Sequence, residues 1–420
     1  MVAPSTIAKP RPRTPEGGAF ARRVGRRYEL RPSGMLFIAI TLFIAIGAVN
    51  SQNNLLFWLF GMAVGAILVS GVASGAALMG LQARRIPPKM IEAESRGVIA
   101  YELRHRGRFF PAFALLIQER AATAPPGARA GRLEPAPALV EHLSPGSSAR
   151  GRAWADAKSR GLVQLDRFEV STTFPFGLFR KSIIFEQTQV IAITPVSIPV
   201  RERLLQTLEL GSEHGSPRAG RPGFSDEFYA LRSYVPGDSP RTIAWRRSAA
   251  LGELVVRQFS APMPPRLVLT LRQDIARADE RTRERAIALL ASLARAGGAA
   301  GYSIGIDIAW AGYRSPLGGG ARLVQRWLME LAALDLEQDR SRTDPPPLSR
   351  AAGRLVLFAA ASGDPEPAGP ALDVSDEASW LAPGVTLPDS LRDPANPRRA
   401  EPVEHAARVD ARSWKIGRSA

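Results

Sequence analysis

Residues 223–259 read GFSDEFYALRSYVPGDSPRTIAWRRSAALGELVVRQF. Within this stretch Val235–Asp238 is a predicted turn, because its central proline presets a negative φ and its central glycine accepts a positive one. The apolar run Leu254–Val256 predicts a short buried strand. Two arginines, Arg232 and Arg241, flank the turn and are close enough in sequence to its aspartate to form a small network of ion pairs.

The role of this charged cluster has two open interpretations. Its residues either contact a partner protein, since Trp and Arg contribute most to interface energies, or brace the junction between two domains. The acidic neighbours Asp226 and Glu227 would point to opposite faces of a strand, so they do not form a general acid/base pair by themselves. The candidate partner-binding or domain-bracing residues are Glu227, Arg232, Asp238, Arg241 and Trp245, and the structural turn is Pro236 and Gly237.

The stretch also carries a spaced pattern: an acidic residue and Phe, Leu-Arg-x-Tyr-x-Pro-Gly-Asp, Arg-x-Ile-x-Trp, Ser-Ala and Leu-Val-Val. Its positions here are Glu227, Phe228, Leu231, Arg232, Tyr234, Pro236, Gly237, Asp238, Arg241, Ile243, Trp245, Ser248, Ala249, Leu254, Val255 and Val256. This pattern resembles the signature of the bacterial family called domain of unknown function 58. The resemblance extends upstream to Phe174–Phe179 and Asn53–Leu56, and covers most of the chain up to about Ser362.

That resemblance implies a partner and a fold. Members of the family are commonly paired with MoxR-type AAA+ ATPases, which would supply nucleotide hydrolysis. The family is also thought to resemble a von Willebrand factor A domain after the signature. In such domains an Asp-x-Ser-x-Ser loop supplies oxygen ligands to Mg²⁺. The corresponding residues here are Asp274–Ala278, which lack both hydroxyls, so no metal site is expected.

Charge and composition narrow the partner class. The chain has 420 residues, a formal net charge of +16 and no cysteine, which excludes disulfides and thiolate zinc sites. The basic arm, residues 1–34, holds eight of the cations (Lys9, Arg11, Arg13, Arg22, Arg23, Arg26, Arg27 and Arg31). A polybasic arm before an apolar segment favours an anionic membrane surface. Nucleic acid is not expected, because the remaining arginines do not alternate with aromatics as a stacking platform would need.

An uncharged stretch from Pro32 to Ala83 predicts a membrane hairpin over residues 35–81, because each span needs roughly 20 apolar residues. Its polar turn, Asn50–Asn54, separates the two spans. Basic residues lie outside both ends and none lie between, so the positive-inside rule predicts cytoplasmic termini and cytoplasmic soluble domains. With the bacterial family, this implies a protein of the inner (plasma) membrane.

The soluble part is predicted as four segments. Alternating strands and turns over 84–197 predict an all-β sandwich-like domain. Residues 198–260 contain the signature, and the strand–helix alternation over 261–361 predicts an open α/β sheet resembling a degenerate von Willebrand factor A domain. Residues 362–420 form a Pro-rich tail, predicted to be disordered or to lie along the surface, which Trp380 or Trp414 could anchor. The fold class is therefore α+β multidomain with a two-helix transmembrane hairpin.

Catalytic patterns are weak. Gly301–Gly305 fits G-x-S-x-G, but its serine begins an alternating strand and not a sharp strand-to-helix turn. No Gly-Lys pair occurs, which excludes a P-loop, and the four histidines are isolated.

We expect no cofactor and a non-enzymatic, membrane-anchored scaffold or adaptor for a MoxR-type ATPase or its client, in envelope protein assembly or maturation. The alternative is an enzyme of envelope or polysaccharide metabolism that uses the Arg/Asp cluster. The oligomeric state is not predicted.

Overall fold

The computed structural model describes residues 20–201, 204, 222–260, 265–336, 353–359, 367 and 369–392. These residues form a mixed α+β structure with two apolar helices near the N-terminus and several sheets. Within 222–260, the side chains of 222–229 and 259–260 lie outside the described part.

The two apolar helices are α1 (Pro32–Ser51) and α2 (Asn54–Ala77). Both are long and apolar enough to cross a membrane, with a mean hydropathy of 2.2 each. Most of their side chains are exposed on the protein surface, which a core helix of a soluble protein would not tolerate. Asn53 caps α2 by accepting a hydrogen bond from the Leu55 amide at 2.8 Å.

Two sheets share one hydrophobic core. The first contains β1 (Arg22–Leu30), β3 (Met90–Glu92), β5 (Ala112–Thr123), β7 (Ala138–Leu143), β9 (Gly161–Thr172) and β10 (Phe179–Thr194). The second contains β2 (Leu81–Ile86), β4 (Arg96–His105), β6 (Arg132–Pro135) and β8 (Ser148–Ser159). Their orders are β1-β10-β9-β5-β7, with β3 parallel to β10, and β2-β4-β8-β6. We call this part the β unit.

The signature stretch forms a separate two-stranded module. Its strands, β11 (Pro222–Ser233) and β12 (Val255–Ser260), are antiparallel. A 3-10 turn (Pro240–Thr242) and the helix α3 (Trp245–Leu251) connect them. We call these residues the signature module.

The last part, which we call the α/β unit, is built on one five-stranded sheet of order β15-β14-β13-β16-β17. Its strands are β13 (Arg266–Leu271), β14 (Ser303–Ile308), β15 (Tyr313–Gly318), β16 (Gly353–Phe358) and β17 (Ala371–Asp373). Its helices are α4 (Asp274–Arg277), α5 (Glu280–Ala299), α6 (Ala321–Ala333) and α7 (Glu377–Trp380). The pairs β13/β14, β13/β16 and β16/β17 are parallel, and β15 is an antiparallel edge strand.

Both ends of the described chain contain folded elements within the segments described above as a basic arm and a Pro-rich tail. Part of the segment predicted as a basic arm is strand β1, which pairs with β10 along the sheet edge. Part of the predicted tail is also folded, because Trp380 is completely buried in the core of the α/β unit and its indole donates to the Asp373 carbonyl. A buried tryptophan removes a large apolar area from water, which offsets the entropy of ordering the tail. Trp414 lies outside the described residues.

Candidate functional site

The signature module is held together by backbone bonds around a small core. The Tyr234 amide donates to the Leu254 carbonyl at 2.8 Å, and the Ala244 amide donates to the Val255 carbonyl at 2.8 Å. Ile243, Val255 and Val256 are buried. Of the run Leu254–Val256 predicted as a buried strand, Val255 and Val256 begin β12, whereas Leu254 precedes it and is exposed. The pairing of β11 with β12 therefore holds the residues between the two strands in position.

The predicted turn forms, and its aspartate pairs with one arginine. Gly237 has a φ of 111°, and the Asp238 amide donates to the Val235 carbonyl at 3.1 Å. The Arg232 guanidinium binds both carboxylate oxygens of Asp238 at 2.6 and 2.5 Å, a bidentate geometry. The Val235 amide donates to the same carboxylate at 3.0 Å.

This pairing sets the protonation of both groups. The Arg232 guanidinium, followed by the Val235 amide, lowers the pKa of Asp238 from its ordinary value. Asp238 in turn raises the pKa of Arg232. The carboxylate is thus ionised, which makes it a poor general acid near neutral pH.

The other predicted site residues lie apart from this pair. Arg241 lies in the 3-10 turn, where it is exposed. Trp245 is the first residue of α3 and is 64% exposed. Glu227 lies on β11, and its side chain is outside the described part. The structure therefore brings Arg232 and Asp238 together and leaves Arg241 and Trp245 open to solvent.

Large apolar side chains of the signature module are also exposed. Besides Trp245 they are Leu231, Val235, Leu251 and Leu254. Single exposed apolar residues are common on protein surfaces, and these five lie within residues 231–254. Guanidinium groups of Arg246 and Arg247 are exposed in the same helix as Trp245.

The contact between the β unit and the α/β unit is built elsewhere, from residues that the sequence did not single out. Arg160 is buried, and its guanidinium binds both carboxylate oxygens of Glu284 on α5 at 2.9 and 2.8 Å. It also donates to the carbonyls of Leu331 and Leu334 at the end of α6, the latter at 2.8 Å. All three guanidinium nitrogens of Arg160 thus donate hydrogen bonds across the interface.

A second arginine supports the same carboxylate. Arg129 lies 3.3 Å from Glu284 and 2.9 Å from Glu280, and its amide donates to the Ala333 carbonyl. Burial alone would raise the pKa of Glu284, but Arg160 and Arg129 overcome it and lower that pKa. Partners separated by more than a hundred residues leave no local sequence signal, which is why this junction was missed.

Asp274, the residue aligned with a metal ligand in the predicted comparison, has other partners. Its side chain is buried and accepts from the Arg272 guanidinium at 2.6 Å. It also accepts from the Ile275 and Ala359 amides, each at 3.0 Å. A guanidinium therefore lies against the carboxylate that would face the cation. The described residues hold no group of three or more His, Cys, Asp and Glu side chains suited to a metal ion.

No protein-family model matches the chain, and no curated protein matches its sequence. The resemblance to the domain of unknown function 58 family, together with its implied partner, stays a prediction.

Proposed function

We propose that the chain is a membrane-anchored scaffold or adaptor whose signature module binds a protein partner on the cytoplasmic side. The single observation that carries this proposal is the exposure of Trp245 on a module that folds on its own hairpin. A tryptophan that braced two domains would be buried between them. The observed junction instead uses Arg160 and Glu284. Trp245 is therefore available to a partner, and an exposed aromatic beside guanidinium groups is the usual composition of an interface hot spot.

The sequence resemblance suggests the partner, a MoxR-type AAA+ ATPase or its client, and a role in envelope protein assembly or maturation. The chain contributes the anchor, since α1 and α2 are long and apolar enough to span a bilayer. Under this proposal the α/β unit is a degenerate von Willebrand factor A-like domain and the β unit is a sandwich. Three parallel strand pairs, with helices before β14 and before β16 in the chain, support the first interpretation, and two sheets around one core support the second.

The geometry gives less support to the alternative, an enzyme that uses the Arg/Asp cluster. Both oxygens of Asp238 are engaged by Arg232, and one of them also accepts from a backbone amide. This is the geometry of a structural ion pair that fixes a turn. A catalytic carboxylate needs a free oxygen within reach of a substrate proton.

The test is binding of a purified MoxR-type AAA+ ATPase to the full chain in a gentle detergent. Trp245→Ala is expected to weaken binding roughly tenfold or more, as hot-spot truncations do, while the melting temperature stays at its wild-type value. Trp154→Ala is the matched control, because Trp154 is 57% exposed but lies on β8 of the β unit. It is expected to change neither property.

Two results would contradict the proposal. Full binding by the Trp245→Ala protein would remove Trp245 from the interface. A parallel loss of binding and melting temperature would assign Trp245 a bracing role instead.

A further inference from the structure

Two loops of the β unit lie at the foot of the helical hairpin, where its helices join the sheets. A single residue, Arg31, separates β1 from α1, and α2 ends at Ala77, shortly before β2 begins at Leu81. The Arg31 amide donates to the Leu178 carbonyl at 3.1 Å. Gly34 lies so close to the same carbonyl that a Cβ there would approach it to 2.3 Å. This end of the β unit is therefore fixed against the ends of both helices.

The first loop, residues 106–111, follows β4 and reads RGRFFP. The Arg106 amide donates to the Gly80 carbonyl at 3.0 Å, just beyond the end of α2. The preceding His105 is buried, and its Nε2 lies 3.2 Å from the Ala77 carbonyl oxygen. The loop thus begins in contact with the last turn of α2.

The second loop, residues 173–178, joins β9 to β10 and contains Phe174–Leu178 of the sequence motif. Ser33, in the first turn of α1, donates its hydroxyl to the Gly177 carbonyl at 3.0 Å. Phe174 packs on Phe113 with ring centroids 4.7 Å apart. This loop is therefore held beside the start of α1.

Both loops present aromatic side chains to the surroundings. Phe109 is 83% exposed, and Phe110 and Phe176 are also exposed. Arg106 and Arg108 are exposed in the first loop, beside its two phenylalanines. Other residues in the described part of the β unit leave the side chains of these three phenylalanines exposed at one end of the unit.

Cationic side chains surround the same end. Lys181 on β10 donates to the Gly71 carbonyl of α2, and its Nζ lies 5.5 Å from the centre of the Tyr28 ring. A shallow cleft beside the last turns of α2 is lined by Arg26, Tyr28 and Lys181, among others. The foot of the hairpin therefore carries both aromatic and positively charged groups.

We infer that these two loops, residues 106–111 and 173–178, dock on the surface of an anionic bilayer, with Phe109, Phe110 and Phe176 inserted at headgroup depth. The inference rests on the proposed membrane anchoring and goes beyond it, because it assigns a lipid-binding surface to the β unit. The attachment of these loops to the hairpin identifies the bilayer as the surface that they bind. Loops that are hydrogen-bonded to the ends of membrane-spanning helices lie where those helices leave the hydrocarbon layer. Aromatic rings and arginines are the side chains that partition into this interfacial layer. The arginines favour anionic lipid.

The experiment uses the full chain, which has no native cysteine, so each variant carries one label. A nitroxide at Phe109→Cys is compared in nanodiscs of phosphatidylcholine with and without phosphatidylglycerol. Accessibility to oxygen reports lipid, and accessibility to a nickel chelate reports water. The label is expected to lose most of its nickel accessibility in the anionic nanodiscs. Adding Arg106→Gln and Arg108→Gln is expected to abolish the dependence on phosphatidylglycerol.

Two further labels separate the possible outcomes. Trp154→Cys is a matched exposed site on β8, opposite Val98 and about 24 Å along β4 from the foot, and it is expected to stay accessible to nickel. Phe43→Cys, in the middle of α1, is expected to lie in lipid. A water-accessible label at 109 with a lipid-buried label at 43 would overturn the docking surface alone. A water-accessible label at 43 would overturn the membrane anchoring and the docking surface together. Equal protection of the label at 109 in detergent and in nanodiscs would show a protein contact, which also overturns the inference.

Discussion

Arg85 shows how one residue can fix the core of the β unit. It is almost completely buried, and its guanidinium binds both oxygens of Glu119 at 2.7 Å. Its remaining donors reach the carbonyls of Leu165 and Gln187, and Tyr101 donates to the same carboxylate at 2.6 Å. Burial, followed by the charge of Glu119, raises the pKa of Tyr101, so its hydroxyl stays a donor. Arg85, Glu119 and Tyr101 therefore satisfy one another's polar groups inside the core. Replacing one of them leaves a buried polar group of another without its partner.

Arg85→Leu is therefore expected to destabilise the protein by about 3–5 kcal/mol, because it leaves the Glu119 carboxylate buried without its cation. Arg84→Leu is the matched control. Arg84 is the neighbouring residue, and its ion pair with Glu102 is only partly buried, so its loss is expected to cost about 1 kcal/mol or less. Thermal unfolding of the detergent-solubilised chain measures both. Equal decreases of the melting temperature in the two variants would contradict the importance of burial. The double variant Arg85→Leu/Glu119→Leu is expected to recover much of the stability that Arg85→Leu loses, because it leaves no unpaired buried charge.

At the scale of single elements, the contact between α1 and the β unit depends on a missing side chain. A Cβ on Gly34 would lie 2.3 Å from the Leu178 carbonyl oxygen and 3.0 Å from its carbon. These are backbone atoms, which cannot rotate away as the end of a side chain can. Gly34 thus permits the close approach by which the hairpin is fixed to the sheets.

Gly34→Ala is expected to lower the melting temperature of the full chain by several degrees, since the helix must move away from residue 178 and the bond from Arg31 is strained. Gly61→Ala in α2 is the control, because a Cβ at that position would meet no neighbouring atom within 4 Å. Alanine there is expected to be neutral or slightly stabilising, as alanine has the higher helix propensity. A Gly34→Ala protein that melts like Gly61→Ala would show that the contact with Leu178 adjusts freely.

Some elements were predictable from the sequence because their patterns are local. The long uncharged stretch indicated α1 and α2, which the structure has at Pro32–Ser51 and Asn54–Ala77. The Pro-Gly-Asp turn formed as its residue types predict, and its aspartate paired with Arg232 but not with Arg241. Proline and glycine restrict the backbone locally, whereas side-chain pairing depends on the final positions of both residues.

Other elements were missed because their signals are weak or distant. Strand β8 buries Gly151, Ala153, Ala155 and Ala157 in alternation with more exposed residues, one of which is Trp154. Alanine and glycine favour strands poorly, so this period of two was not recognised. Strand β1 is rich in arginine and pairs with β10, more than 140 residues later in the chain. This segment is a strand because it pairs with β10, and the local sequence of residues 22–30 does not indicate a strand.

At the scale of the whole molecule, the carboxylate of Glu284 lies between Arg160 and Arg129 of the β unit. It joins the β unit to the α/β unit, and none of these three residues belongs to the signature module. The candidate residues of the signature module could be named from a local motif, whereas the contacts of Glu284 join residues more than a hundred positions apart and required the fold.

The junction is expected to make stability depend on pH. The two arginines lower the folded-state pKa of Glu284 below its ordinary value of 4.5. A group with a lowered pKa binds its proton more readily in the unfolded chain, so its contribution to stability is complete above pH 4.5 and is lost as pH falls through the folded-state pKa.

Glu284→Gln is therefore expected to lower the melting temperature clearly at pH 7, and the difference from wild type is expected to shrink progressively below about pH 4.5. Glu280→Gln, on the same helix but 67% exposed in its side chain, is the control and is expected to have little effect at either pH. A difference between wild type and Glu284→Gln that persists unchanged at about pH 3 would show that the carboxylate acts through packing and not through its charge.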